Sequence, residues 1–220
     1  MADIFREVDE EVRRDKAAQV WEKYQNLIIG AALLVILATG AWKAWEYVRI
    51  GQAQTAAAQY ESAIDLHRQA KFAESEKALA EMVAKAPAGY QQIGKLRGAI
   101  ETSMRDQAEG VKAFDALAGD QSLDPLFRDV ARLRAAILRI DAADAAETAR
   151  RLEPMAEAGQ PFRATARELL GVKALETGDF DRAAKYLDMI VVDSAAPPSI
   201  RQRAELLLGL VRAGKPTTAN

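Results

Sequence analysis

An uncharged run of nineteen residues, YQNLIIGAALLVILATGAW at positions 24–42, restricts this chain more than any other feature. As an α-helix it measures roughly 28 Å, close to the thickness of a bilayer's hydrocarbon core, where a lone segment satisfies its backbone hydrogen bonds only as a helix. Trp21 and Tyr24 stand at one end of it and Trp42, Trp45 and Tyr47 at the other, as interfacial anchors do. The run therefore reads as a membrane span, not as a buried soluble helix. This divides the chain into a tail (1–23), a transmembrane helix with aromatic flanks (24–48) and a soluble domain (49–220).

The distribution of basic residues gives the direction. Arg6, Arg13, Arg14, Lys16 and Lys23 precede the span, whereas only Lys43 and Arg49 follow within a comparable distance. Cytoplasmic flanks carry the Lys and Arg excess, so the N-terminus is expected inside and the C-terminal domain across the membrane. Ala38 and Gly40 have the spacing of a signal cleavage site. The acid-rich leader and the bilayer-length apolar run nonetheless favour an uncleaved anchor.

The chain has 220 residues and a formal net charge of -2. It has no basic cluster interleaved with aromatics of the kind that neutralises phosphates, so no nucleic-acid partner is expected. It contains no cysteine, which removes disulfide and thiolate chemistry but does not locate the protein. The tail is an amphipathic segment with Ile4, Phe5, Val8 and Val12 on one side, but its polar face carries Glu7, Asp9, Glu10 and Glu11, which anionic lipid would repel. A protein contact or an extension of the membrane helix suits it better.

Beyond Gly51 the apolar residues recur with helical period, in pairs of segments punctuated by Gly, Asp and Pro. The clearest pair is FRATARELLGVKALETGDFDRAAKYLDMIVVDSAAPP. Gly171 allows close approach, Gly178 ends the first helix, Asp179 caps the second, and Phe180, Ala183, Leu187 and Ile190 face inward. This pattern resembles a tetratricopeptide repeat. Ala63, Phe72, Leu79 and Met82 occupy matching places in an earlier unit; Gly98, Asp106, Phe114 and Leu117 mark a weaker one; Ala136, Leu152 and Met155 mark the weakest. The units recur every 35 to 38 or so residues, slightly long for this repeat. The expected fold is all-α: one N-terminal transmembrane helix, then a TPR-like α-solenoid of about four degenerate helix pairs, closed by a capping helix over roughly 199–213 with a polar outer face.

The first helices of such a stack line a concave surface. On this register Tyr60, Ile64, Ile137, Ile140, Val172 and Leu175 point to that side, as a lining for an apolar partner segment or as ordinary core. Ala63, Phe72, Gly98, Phe114, Gly171, Gly178, Phe180 and Ala183 are the expected repeat-packing residues. Catalytic and metal chemistry finds little to build on. His67 is the only histidine and is expected on a helix surface. GLVRAGKP, at positions 209–216, imitates a phosphate loop, but it ends a helix and has Pro216 where Ser or Thr would bind magnesium. No cofactor, metal or enzymatic activity is expected.

The tail FREVDEEVRRDKAAQVWEKY, the span ending WKAWEYV, the GYQQIGKLRGA stretch and the PFRATARELLGVKALETGD segment together resemble the TPR-like family of ancillary SecYEG translocon subunits. The match is carried by Phe5, Glu7, Val8, Tyr90, Pro161, Arg163, Gly171 and Gly178-Asp179. The resemblance implies a bacterial inner-membrane protein, N-terminus inside and repeats in the periplasm, that associates with the translocon and periplasmic chaperones during export, with exported clients as further partners. The middle repeats depart from the pattern, and the family's partner-binding residues form no motif that carries over. Two alternatives stay open: a periplasmic scaffold for envelope or division machinery, and a regulator acting through the cytoplasmic tail. A homo-oligomer is compatible with Gly30, Ala31 and Gly40, small residues that permit close pairing in the membrane.

Overall fold

The computed structural model describes the backbone of residues 2–214 and, before Trp21, only the side chains of Arg14 and Ala18. The described residues form nine α-helices and no strand: α1 (Ala2–Arg68), α2 (Phe72–Val83), α3 (Ala88–Arg105), α4 (Gln107–Gly119), α5 (Pro125–Arg139), α6 (Ala145–Ala156), α7 (Arg163–Glu176), α8 (Phe180–Val191) and α9 (Pro198–Gly214). Two compact units divide between Gln54 and Thr55. The helical assignment of α1 runs through the tail, the apolar run and residues 55–68 without a break, so Gly51 interrupts nothing. The inward faces expected in the tail lie outside the described side chains.

Among the described residues one stretch of helix, Trp21–Arg68, is long and apolar enough to cross a membrane, and none of its most apolar window is buried. Thr39 donates its hydroxyl to the Val35 carbonyl at 2.7 Å, so the one hydroxyl in the middle of the run is satisfied within its own helix. At the ends, Lys23 lies over the Tyr24 ring and Arg49 over the Trp45 ring. Cations beside exposed aromatics are the arrangement expected of interfacial anchors.

The second unit consists of four helix pairs and a last single helix: 55–68 of α1 with α2, α3 with α4, α5 with α6, α7 with α8, then α9. The second helices share one register. Their fourth position is small and buried (Ser75, Gly110, Thr148, Ala183), and their eighth is a large side chain sealed in the core (Leu79, Phe114, Leu152, Leu187). Each of those large residues contributes roughly 1.5–3 kcal/mol by leaving water. The small position lets the pair close. Ser75 donates to the Ala63 carbonyl at 2.8 Å, and a Cβ on Gly171 would stand 3.0 Å from Leu187. Ala63 and Ala183 are fully buried, and Phe180 packs against Gly214 at the end of α9.

Local signals set the helix ends. Asp106, Asp124, Asp144 and Asp179 each accept a backbone N–H from the first turn of α4, α5, α6 and α8. Gly178, at φ +76°, closes α7 as a Schellman turn: its N–H donates to the Leu175 carbonyl and that of Asp179 to the Ala174 carbonyl. Three expectations need adjustment. Gly98 has open space ahead of its Cβ position, and the close approaches around α3 are at Gly94, against Met82 and Val83 of α2, and at Gly110 of α4, against Ser103. The outer face of α9 is not polar, because Leu206 and Leu210 are 74% and 61% exposed on it. His67 is only partly on the surface: its Nδ1 lies 2.8 Å from the carboxylate of Glu101, which is fully buried.

Candidate partner-binding surfaces

The first helices lie side by side. Glu101 of α3 binds His67 of α1 at 2.8 Å and Arg97 at 2.6 Å, while Lys173 of α7 donates to the Ile140 carbonyl at the end of α5 at 2.9 Å. Burying a carboxylate is costly unless polar partners meet it, and Glu101 has Arg97 at one oxygen and His67 at the other. Sequence periodicity had no means of finding this acid, which sits at an apolar position of α3.

The six first-helix residues singled out from the sequence fall into separate patches. Tyr60 packs on the core shared by α1 and α2, Ile140 on that of α5 to α8, and Leu175 on that of α7 to α9. Ile64 and Val172 are half-buried outside those clusters, and Ile137 is 36% exposed. The Lys173 bond places Ile140 beside α7, whereas Tyr60 and Ile64 belong to the first pair, with α3 between.

The opposite layer, made of the second helices, is joined by polar bridges at one recurring place. The ninth residue of one helix meets the seventh of the next. Asp115 of α4 takes a two-pronged contact from Arg151 of α6 at 2.9 and 3.2 Å. Glu153 of α6 accepts from the Tyr186 hydroxyl of α8 at 2.8 Å, and from Arg182 at 2.6 Å. The Tyr186 bond, then the Arg182 contact, hold the Glu153 carboxyl below its ordinary range. Burial, reinforced by Glu153, pushes the Tyr186 hydroxyl up.

At the first seam both positions of this bridge are alanines, Ala80 and Ala113, and a groove of about 340 Å³ opens between α2 and α4. Leu79, Val83, Ala99 and Leu117 give it apolar walls, and Gly98 in its floor leaves it deep. Polar groups secure its ends to α3 without crossing it. Glu76 accepts from Thr102 and pairs with Arg105, while Lys95 reaches Asp120 and Ser122. The Lys95 bond, followed by those from Ser122, draws the Asp120 carboxyl well below the usual carboxylate range.

The profile of a tetratricopeptide repeat-like domain matches residues 18–209. The chain belongs to that family. The match takes in the apolar run, all four helix pairs and most of α9, so the TPR-like domain here includes the whole stack. No curated protein and no solved structure matches the chain. TPR-like domains are in general protein-interaction scaffolds. No group of three or more metal-ligating side chains occurs among the described residues.

Proposed function

We propose that this TPR-like protein is a non-enzymatic, membrane-anchored adaptor of the bacterial inner membrane, associating with the SecYEG translocon and periplasmic chaperones during protein export. The observation that carries the reading is an unburied apolar span in the same chain as a TPR-like stack, which would tether a protein-binding domain to a membrane. The basic flank before the span supports a cytoplasmic N-terminus. Of Tyr60, Ile64, Ile137, Ile140, Val172 and Leu175, which lie in separate patches along the first helices, the partly exposed Ile64, Ile137 and Val172 are the members offered to partners. The α2–α4 groove is a second, suited to the apolar side chains of an extended or helical polypeptide.

The test is crosslinking in intact membranes with the protein at native level, followed by capture through an N-terminal tag and mass spectrometry. Translocon subunits and periplasmic chaperones are expected together, with crosslinks at Ile137, Val172 or Ala113. Recovery of cell-wall or division proteins in their place would transfer the same surfaces to an envelope scaffold.

A further inference from the structure

The last helix repeats the sequence of α7 without repeating its packing. Arg163, Ala166, Leu169, Leu170 and Gly171 of α7 recur in α9 as Arg201, Ala204, Leu207, Leu208 and Gly209. The inward face is used in both, since Ala166 and Leu170 are buried against α6, and Ala204 and Leu208 against α8. The other face differs. Gly171 is covered by Leu187 of α8, whereas Gly209 has no atom within 4 Å of its Cβ position. Around Gly209, at helical spacing, stand Leu206, Leu210 and Ala213, all exposed. Among the described residues no helix covers this face as α8 covers that of α7.

The charges beside that face specify what covers it. Glu205 and Arg212 lie on one flank of the stripe, two turns or roughly 10 Å apart, and neither is paired with a described residue. A second α9 running antiparallel about a two-fold axis near Gly209 would bring each Glu205 opposite the other copy's Arg212. Leu206 would then interdigitate with Leu210, and the glycine at the axis would allow close approach. The pattern is self-complementary in shape and in charge. We infer that this face of α9 binds a second copy of the chain, forming a symmetric antiparallel α9 pair.

The absence of cysteine makes the test direct. Full-length protein in detergent, carrying Gly209→Cys, is treated with a short bismaleimide and compared with a Lys77→Cys control on exposed α2. Gly209→Cys is expected to give a crosslinked dimer and Lys77→Cys is not. Added to Gly209→Cys, either Glu205→Arg or Arg212→Glu places like charges at both pairs and should weaken dimerisation roughly tenfold or more. The double reversal should restore it, which a misfolded α9 or a dimer held only by the membrane helix would not do. Crosslinking at Gly209→Cys no stronger than at the control, or reversals that fail to weaken singly and rescue together, would overturn the inference.

Discussion

The seam between α2 and α4 and the two seams that follow it are built on the same register yet end differently. Asp115 with Arg151 and Glu153 with Tyr186 tie neighbouring second helices together, while Ala80 and Ala113 at the equivalent places leave a gap. In a repeat stack each unit touches mainly its neighbours, so the cohesion of one seam can change without disturbing the others. The C-terminal half is a closed support, and the N-terminal half, nearest the apolar span in sequence, keeps an open surface. Removing a polar bridge and leaving two small side chains is enough to turn a packing seam into an open groove.

The largest effect that tests this contrast is in the cores. Leu187→Ala leaves a cavity in a closed seam and should lower the opening free energy of α8 by about 3–5 kcal/mol. Leu79→Ala removes an equally buried leucine that borders the groove, where water and neighbouring side chains can fill the space, and should cost about 2–3 kcal/mol in α2. Hydrogen exchange of the two helices in the full chain measures both, and equal losses would remove the distinction between the halves.

Closing the groove is the next test. Ala80→Glu with Ala113→Arg writes the bridge of the other seams into the first one. Exchange protection of α2 and α4 should change by no more than about 0.5 kcal/mol. Crosslinking of partners at the groove should fall about tenfold or more, while crosslinking at Val172 persists. The converse substitution, Arg151→Ala, breaks the two-pronged contact with Asp115 and should loosen the α4–α6 seam by about 1 kcal/mol, read in the same way.

Much of this architecture was legible in the sequence, because helix pairing in a repeat depends on local and periodic signals. The Gly178-Asp179 turn, the cap at Asp179 and the recurrence of small and large buried residues are chemistry within one or two turns, and the structure follows them. What escaped depends on distant partners. Gly98 and Gly94 are one helical turn apart, and only the position of Met82 decides which of them makes the close approach. Glu101 reads as a solvated acid until His67 is brought from another helix to meet it. Ala80 and Ala113 are unremarkable as single residues, and their meaning appears only when the four second helices are superposed and the bridge is missing. The α9 face escaped for the opposite reason: a terminal helix was expected to turn a polar side to water, and Leu206 and Leu210 do not.

The smallest effect at neutral pH, and the most selective, is the response to acid. The carboxyl of Glu153 lies below its ordinary value of 4.5 in the folded chain, chiefly through the Tyr186 hydrogen bond. Asp193 is drawn down to about 2, first by Arg163, which grips it at 2.6 and 2.9 Å, and then by the backbone N–H of Ala195 and by Arg167. A group that holds its proton less tightly when folded stabilises the fold fully above its unfolded value and loses that contribution as pH falls through the folded one. Neither contribution to α8 should change between pH 8 and 5. Between about pH 4 and 2, α8 should lose exchange protection at both its ends, since Glu153 secures its first two turns and Asp193 follows its last. The α2–α4 seam has no carboxylate at the bridge positions and so lacks this local sensitivity. Glu153→Gln should remove the part of the acid response in α8 that Glu153 carries and leave the part due to Asp193. An acid loss of the same size in α2 as in α8 would mean that the polar bridges do not set the cohesion of the seams, and that the groove has some other cause than their absence.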